Sequence, residues 1–252
     1  PTYVGFTRSL ENNGYAIVQT PLFRDEKGIW RMDYEDMERK LREEKIHAAV
    51  FCSPHNPTGR VWEREELEKM MALFEKYEVQ IVSDEIWSDI ILPGYHHIPT
   101  QSVSAYAKEH TVALYAPSKT FNLAGLVGAY HVVYNRTLTD RMSKETSLTH
   151  YNTMNVLSMH ALIGAYSEEG REWRRELCSV IQENRDFACD FIEQFLPGLS
   201  VMPAEGTYML FIDCGKYLAE QGISLEELER KMWDYGVAVQ DGRMFHGESH
   251  VR

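Results

Sequence analysis

Three segments of the sequence each place a reactive or polar side chain directly after a short apolar run. They carry Asn56, Asp84 and Lys119. Because the carboxyl ends of parallel strands meet at one edge of a sheet, we expect this amide, carboxylate and amine to lie close together. The three groups together could hold a small aromatic ring that carries a nitrogen, a phenolic oxygen and an aldehyde. The sequence therefore indicates a site for a heteroaromatic cofactor.

Each side chain has a separate task at such a ring. Asp84 would pair with the protonated ring nitrogen, so that the ring withdraws electrons from a carbanion of the substrate. Lys119 would form a Schiff base with the aldehyde and, once displaced by the substrate's amine, would move the α-proton. Asn56 would donate to the phenolic oxygen, and Ser118 with nearby backbone amides could hold a phosphate. The expected chemistry is proton abstraction next to an amino group.

The elements that would position these residues alternate between strands and helices. Short apolar runs at Ala48–Cys52, Gln80–Ser83 and Thr111–Tyr115 predict buried strands. The segment from Glu63 to Tyr77 has apolar residues at helical spacing. This alternation predicts an α/β fold, with a mostly parallel sheet covered by helices on both faces.

The pattern changes after Gly170. Apolar residues at helical spacing predict one long helix from Trp173 to Phe195. Thr207–Asp213 alternates like a strand, and Ser224 forms a capping box with Glu227 at the start of a further helix. We therefore expect a large domain over residues 1–169, and over residues 170–252 the connecting helix with part of a smaller α+β domain.

Composition narrows the function classes. The chain has 252 residues with a formal charge of −12, which disfavours nucleic acid and anionic membranes as partners. Its four cysteines show no close pair, and its histidines have no ligand spacing, so neither a disulfide framework nor a metal site is predicted. With no signal pattern and no long apolar run, the expected location is the cytoplasm.

Three segments, 51–61, 82–91 and 116–125, resemble the fold type I pyridoxal-phosphate enzymes of the aspartate aminotransferase superfamily. Within it, Pro54-His-Asn-Pro-Thr-Gly-Arg60 and the Ser-Lys-Thr-Phe-Asn run at Ser118 are similar to the MalY/PatB branch of cystathionine β-lyases and carbon–sulfur lyases. The resemblance implies pyridoxal 5′-phosphate as cofactor, a small amino acid as substrate and a homodimer.

The resemblance also implies roles for residues outside these segments. Pro1-Thr-Tyr3 is similar to the family's Pro-x-Tyr, whose aromatic ring lies against the cofactor. Arg252 stands where the family binds the substrate's α-carboxylate, and Tyr208 resembles a residue facing the active site. On this basis we expect the chain to be a fragment, with further segments before Pro1 and after Arg252.

Three positions depart from the family's pattern. Trp87 stands where the superfamily usually has tyrosine and the lyase branch often histidine, yet we still expect its ring at the cofactor. Ala116 replaces a serine that often binds the phosphate, and Val127 occupies the position of a basic phosphate ligand. We therefore expect the phosphate to depend more on Ser118 and on groups outside this chain.

Several interpretations remain open. A carbon–sulfur β-lyase would eliminate a thiol and give pyruvate and ammonia; an aminotransferase would share the early steps; a non-catalytic regulatory protein would bind the cofactor without turnover. Taken singly, each residue also has an ordinary explanation: Lys119 as a surface lysine, Asp84-Glu85 as an exposed turn, and Asn56 as part of a simple turn.

Overall fold

The computed structural model describes residues 1–147 and 153–252, which pack into two compact units. The first comprises Tyr34–Pro54 and Val61–Ser179, and we call it the lysine unit because it contains Lys119. The second comprises Pro1–Asp33, His55–Arg60 and Val180–Arg252, and we call it the arginine unit because it contains Arg252.

Strands and helices alternate along most of the chain. The strands are β1 (Phe23–Arg24), β2 (Trp30–Arg31), β3 (Ala48–Cys52), β4 (Gln80–Asp84), β5 (Thr111–Tyr115), β6 (Tyr130–Val132), β7 (Ser200–Val201), β8 (Ile212–Asp213) and β9 (His250–Val251). The α-helices are α1 (Val4–Asn12), α2 (Tyr34–Glu43), α3 (Arg64–Lys76), α4 (Ala105–His110), α5 (Arg136–Thr146), α6 (Val156–Ala165), α7 (Glu168–Phe195), α8 (Gly215–Gln221) and α9 (Leu225–Asp234). Short 3-10 helices cover Thr100–Ser102, Ala124–Leu126 and Gly242–Phe245.

A sheet with the strand order β3-β4-β5-β6 organises the lysine unit. Strands β3, β4 and β5 are parallel, whereas β6 runs antiparallel to β5. The register aligns the strand ends, because Asp84 pairs with Cys52 on one side and with Leu114 on the other. The predicted α/β fold with a mostly parallel sheet is confirmed, and β6 adds an antiparallel edge.

Helix α3 shows how the sequence pattern becomes packing. It begins after Glu63, whose side chain forms a capping box with Glu66. Its buried apolar side chains recur at helical spacing, as Leu67, Met70, Met71 and Phe74. Burial of each such side chain contributes about 1.5–3 kcal/mol. The predicted helix between Glu63 and Tyr77 is therefore confirmed, with these two residues as its caps.

The arginine unit contains an antiparallel sheet with the order β7-β8-β9. One apolar cluster in this unit is formed by Cys214, Leu225, Leu228 and Val251. Helix α9 starts with the predicted capping box between Ser224 and Glu227, and it is followed by Gly236 at a φ of 82°. The predicted strand, capping box and helix thus lie in the order expected.

The predicted strand from Thr207 to Asp213 is wrong in its extent. Within this range, the pairing as a strand covers Ile212–Asp213, in β8. Thr207 has a φ of 66°, a left-handed conformation that takes the backbone out of an extended ladder. Just before it, the backbone amides of Glu205 and Gly206 donate to the Gly59 carbonyl rather than to a neighbouring strand.

Helix α7 confirms the predicted long helix and ends at Phe195, two residues before Pro197. The division between the two compact units falls inside it, between Ser179 and Val180. The domain boundary after residue 169 stays a prediction, because it rests on the sequence pattern alone. Among the described residues, no helix combines the length and apolarity needed to cross a bilayer.

Candidate active site

Asp84 lies at the end of the central strand β4 of the lysine unit. The backbone carbonyl of Asp84 accepts a hydrogen bond of 3.0 Å from the amide of Ser53, which follows β3. The next amide, that of Glu85, donates to the carbonyl of Leu114 in β5 over 2.9 Å. The backbone that carries the Asp84 carboxylate is thus held on both sides by neighbouring strands.

The electrostatic environment of Asp84 raises the pKa of its carboxyl group. Burial is the largest cause, and the charge of Glu85 acts in the same direction. A hydrogen bond of 3.1 Å from the Ile86 amide to Oδ1 and the positive charge of Lys119 oppose this shift. A poorly solvated carboxylate of this kind is stabilised by a cation placed beside it.

Lys119 lies in a series of tight turns after β5. The carbonyl of Pro117 accepts from the Phe121 amide, and that of Ser118 accepts from the Leu123 amide, each over 2.9 Å. The Lys119 side chain is half-buried, and its Nζ lies 5.7 Å from the centroid of the buried Trp87 ring. The predicted residues Asp84, Trp87 and Lys119 are therefore neighbours in the lysine unit.

The three positions expected to affect phosphate binding differ in their exposure. Ser118 is half-buried beside Lys119, and Ala116 is buried. Val127 is 85% exposed and has a φ of 54°. A β-branched residue in this left-handed conformation is uncommon and costs about 1–2 kcal/mol relative to the right-handed form. Within the described part of the chain, no contact of Val127 explains this residue at a strained position.

The predicted residues of the arginine unit form a second cluster around Arg252. Its Nη1 donates to the side-chain oxygen of Asn56 over 2.9 Å, and its Nε donates to Gln240 over 2.8 Å. Burial lowers the pKa of Arg252, while Tyr208 and Tyr3 act electrostatically in the opposite direction. Tyr3, Asn56, Tyr208 and Arg252 are thus grouped in one place.

The turn that carries Asn56 is held by its own backbone bonds and by a glycine. The amide of His55 donates to the Arg60 carbonyl, and the amide of Gly59 donates to the His55 carbonyl, each over 2.8 Å. Gly59 has a φ of 72°, and a Cβ atom at this position would lie 2.5 Å from the Cβ of Ala204. Only glycine meets both requirements without displacing the turn.

A buried ion pair fastens the same turn from its other side. The guanidinium of Arg60, of which 1% is exposed, pairs with the carboxylate of Glu205. The Nε of Arg60 also donates to the carbonyl of Trp30 over 3.1 Å. Because a buried charge without its partner is costly, this pair fixes the turn firmly.

All eight predicted site residues therefore fall into two clusters. The lysine unit groups Asp84, Trp87, Ser118 and Lys119, and the arginine unit groups Tyr3, Asn56, Tyr208 and Arg252. Their action on one common ring stays a prediction. The alternative that Asp84-Glu85 forms an exposed turn is wrong, because the Glu85 side chain is fully buried.

Sequence reasoning missed two residues that support the clusters. Glu205 gives no local signal, since its partner Arg60 lies 145 positions away. The sequence offers Glu85 only as part of a possible exposed turn with Asp84, although its carboxylate accepts several hydrogen bonds inside the lysine unit. A second acidic residue after the predicted strand Gln80–Ser83, next to Asp84, is the one sequence signal that could have indicated its role.

The comparisons with known proteins identify the family of this chain. The model of the aminotransferase class I and II family matches residues 1–252. The chain belongs to this family. Among curated relatives, cystathionine beta-lyase PatB of Bacillus subtilis is 34% identical, over 100% of this chain and 64% of PatB. Protein MalY of Escherichia coli is 30% identical, over 84% of this chain and 54% of MalY. The chain thus spans less than two thirds of the length of these relatives.

Solved structures of family members have the same fold. The C-S lyase of Staphylococcus hominis, bound to pyridoxal phosphate, has a TM-score of 0.90 and 30% identity, over 100% of this chain and 63% of that one. Cystalysin of Treponema denticola, which contains a pyridoxal 5′-phosphate cofactor, has a TM-score of 0.92 and 30% identity, over the same shares. The MalY/PatB resemblance of the sequence motifs is therefore confirmed.

The residues of this family member fit that cofactor. Asp84 offers a buried carboxylate of raised pKa, which suits a cationic ring nitrogen, and Lys119 offers an amine in the same cluster. In the arginine unit, the Asn56 side-chain oxygen accepts from Arg252, which leaves the amide nitrogen as a donor toward a phenolic oxygen. Among the described residues, no group of three or more histidine, cysteine or acidic side chains could hold a metal ion.

Proposed function

We propose that the complete protein is a pyridoxal-phosphate-dependent carbon–sulfur β-lyase. Its substrates would be sulfur amino acids of the cystathionine type, which it would cleave with water to a thiol, pyruvate and ammonia. Two kinds of observation support this activity. PatB is named a cystathionine beta-lyase, and the S. hominis protein is named a C-S lyase. The branch-specific motifs around Asn56 and Lys119 point to the same group.

The observation that carries the cofactor-dependent proton removal is the proximity of Asp84 and Lys119 in the lysine unit. When bound, pyridoxal phosphate supplies an electron-withdrawing ring that makes the substrate's α-proton removable. Asp84 would hold the proton on the ring nitrogen, which keeps the ring cationic. Lys119 would be the point of attachment of the cofactor and afterwards the base that takes the α-proton. One carboxylate and one amine of the same cluster thereby account for both requirements.

The cluster around Arg252 would orient the substrate and the ring. Arg252 would bind the α-carboxylate through two parallel hydrogen bonds, a geometry that a guanidinium matches. Asn56 would donate from its amide nitrogen to the phenolic oxygen, and Tyr3 would stack on the ring. Tyr208, whose side chain is largely exposed, would face the substrate. Trp87 and Ser118 would complete the contacts to the ring and to the phosphate.

An aminotransferase is the second candidate, because the family itself is named for this activity. Asp84 and Lys119 would serve it equally well, since both reactions begin with removal of the same proton. The two reactions differ only in their later steps. A lyase expels the β-thiolate of the substrate, whereas an aminotransferase returns a proton to the cofactor.

A homodimer is the assembly we propose for the complete protein. Helix α6 is apolar on most of its surface, yet many of its side chains are exposed in this chain, namely Val156, Leu157, Met159 and Ile163. Exposed apolar surface of this extent is typical of an interface.

The deciding experiment uses the full-length protein loaded with pyridoxal phosphate. With cystathionine, a lyase releases pyruvate and a thiol when no keto acid has been added, whereas an aminotransferase requires an added keto acid as acceptor of the amino group. Borohydride reduction should fix the cofactor to Lys119. Lys119→Ala should abolish this attachment and lower turnover by about a thousandfold or more.

Lys144→Ala is the matched control, because Lys144 is an exposed lysine on α5. It should leave both the attachment and the turnover unchanged. Full activity of Lys119→Ala would contradict the proposal. Transfer of the amino group without thiol release would replace the lyase by the aminotransferase.

A further inference from the structure

Glu85 directly follows Asp84, but its side chain is directed to the opposite side of the strand. The shared orientation of Glu85 and Ser83 is visible in the hydrogen bond of 3.0 Å from the Ser83 hydroxyl to the Glu85 carboxylate. Glu85 is completely buried. A buried carboxylate is rare unless its oxygens are satisfied, so its partners indicate what it does.

Each of the two carboxylate oxygens of Glu85 accepts two hydrogen bonds. Oε1 receives the Ser83 hydroxyl and, over 3.1 Å, the backbone amide of Thr100. Oε2 receives the Tyr115 hydroxyl over 2.9 Å and lies 2.7 Å from Nε2 of His97. All four partners can donate, so the hydrogen bonds occupy both oxygens of the Glu85 side chain.

These hydrogen bonds connect the ends of β4 and β5, the strands that lead to the proposed cofactor-binding residues Asp84 and Lys119. Glu85 is the residue after Asp84, and Tyr115 ends β5 four positions before Lys119. The backbone amide of Glu85 donates to Leu114, so the side chain and the main chain of Glu85 hold the same strand end. His97 and Thr100 attach the loop before α4 to the same carboxylate. Any displacement of Glu85 would therefore change the separation of Asp84 and Lys119.

We propose that Glu85 is a positioning residue which, through Tyr115 and His97, fixes the separation of the Asp84 carboxylate and the Lys119 amine. The inference rests on the proposed function, because only a ring held by both groups makes their separation matter. The proposed function gives Glu85, Tyr115 and His97 no contact with cofactor or substrate, so their role would be exerted through Asp84 and Lys119. A misplacement of about 1 Å at a reacting centre can lower the rate about a hundredfold.

Tyr115→Phe is the variant that tests this, because it removes one hydroxyl and keeps the ring. We expect the visible absorbance of bound pyridoxal phosphate and its pH midpoint to shift. We also expect kcat to fall by about ten- to a hundredfold while KM changes less. The matched control is Tyr106→Phe, which removes a hydroxyl bonded to the Val79 carbonyl over 2.9 Å, away from Asp84 and Lys119.

The His97 side of the network provides a second, independent variant pair. His97→Gln keeps a donor toward Glu85 and should retain a nearly normal spectrum, whereas His97→Leu removes the donor and should shift the spectrum as Tyr115→Phe does. For Tyr106→Phe we expect a lower thermal midpoint with an unchanged spectrum and kcat. If Tyr115→Phe and His97→Leu give this same result, Glu85 is merely structural and the inference is overturned.

Borohydride reduction of the wild-type protein distinguishes a failure of the positioning role from a failure of the proposed function. Attachment of pyridoxal phosphate to Lys119, shown by borohydride reduction, with unchanged spectra in the variants would overturn the positioning role alone. Absence of attachment in the wild type would overturn the proposed function and this inference with it.

Discussion

At the scale of single residues, the energetics of Asp84 connect stability with function. Burial raises the pKa of Asp84 above its value in the unfolded chain, so the folded state holds this proton more tightly. The resulting stabilisation is fully present below the unfolded pKa and is lost as the pH rises through the raised, folded pKa. At neutral pH the ionised carboxylate therefore destabilises the cofactor-free protein, and a bound cation would offset this.

Asp84→Asn should separate these two effects. Without cofactor at neutral pH, the variant should unfold at a temperature no lower than that of the wild type. Under acidic conditions the order should reverse, and the wild type should unfold at the higher temperature. Turnover of the loaded enzyme should fall by about a hundredfold or more, because the ring nitrogen loses its anionic partner. Thermal unfolding at several pH values and a pyruvate assay measure the two quantities.

Asp140→Asn is the control for this variant, because Asp140 is an exposed carboxylate on α5. It should change neither the unfolding temperature nor the turnover. Full turnover of Asp84→Asn would show that this carboxylate is not the partner of the ring nitrogen.

At the scale of elements, the turn from His55 to Arg60 shows how little freedom the Asn56 position has. The Gly59 carbonyl accepts from the amides of both Glu205 and Gly206, over 2.9 and 3.0 Å. The Arg60 side chain pairs with the carboxylate of Glu205. Both a backbone carbonyl and a side chain of the turn are thereby bound to a segment that is distant in sequence.

Gly59→Ala should disrupt this attachment. The added Cβ would meet the Cβ of Ala204 at 2.5 Å in addition to the left-handed backbone conformation. We expect a loss of about 2–4 kcal/mol in the free energy of unfolding, from the backbone cost of about 1 kcal/mol and the overpacking. Urea denaturation measures it, and weaker binding of pyridoxal phosphate should accompany it.

Gly222→Ala isolates the backbone cost from the steric clash. Gly222 also has a positive φ, of 62°, but a Cβ there meets no atom within 4 Å among the residues described. This control should lose about 1 kcal/mol and leave cofactor binding intact. Equal losses in the two variants would mean that the contact with Ala204 is not what holds the turn.

The same elements show what the sequence could and could not predict. Apolar periodicity and capping are local signals. They therefore predict the strands before Asn56, Asp84 and Lys119 and the helix from Glu63. The strand at Thr207 was predicted too long, since the left-handed backbone of Thr207 (φ 66°) takes this segment out of an extended ladder, which its alternation does not reveal. The ion pair of Arg60 and the bonds of Glu85 depend on contacts far apart in sequence, which no local pattern reports.

At the scale of the whole molecule, the important fact is that the chain spans 64% of PatB. The proposed activity and assembly therefore belong to the complete protein. In the part of the chain that the structure describes, helix α6 presents apolar side chains that no other segment covers. Leu157 is 70% exposed and Ile163 is 65% exposed, on a helix that is apolar nearly all round. Such a helix is normally buried.

Leu157→Glu in the full-length protein tests whether a second copy provides this cover. A charge placed in an apolar interface should raise the dissociation constant of the homodimer by about a hundredfold, which corresponds to about 2.8 kcal/mol. Gln221→Glu, a substitution at an exposed position at the end of α8, should leave the dimer intact. Sedimentation velocity over a range of concentrations distinguishes the two. If Leu157→Glu remains dimeric but unfolds at a lower temperature, α6 is covered by another part of its own chain and the homodimer must use a different surface.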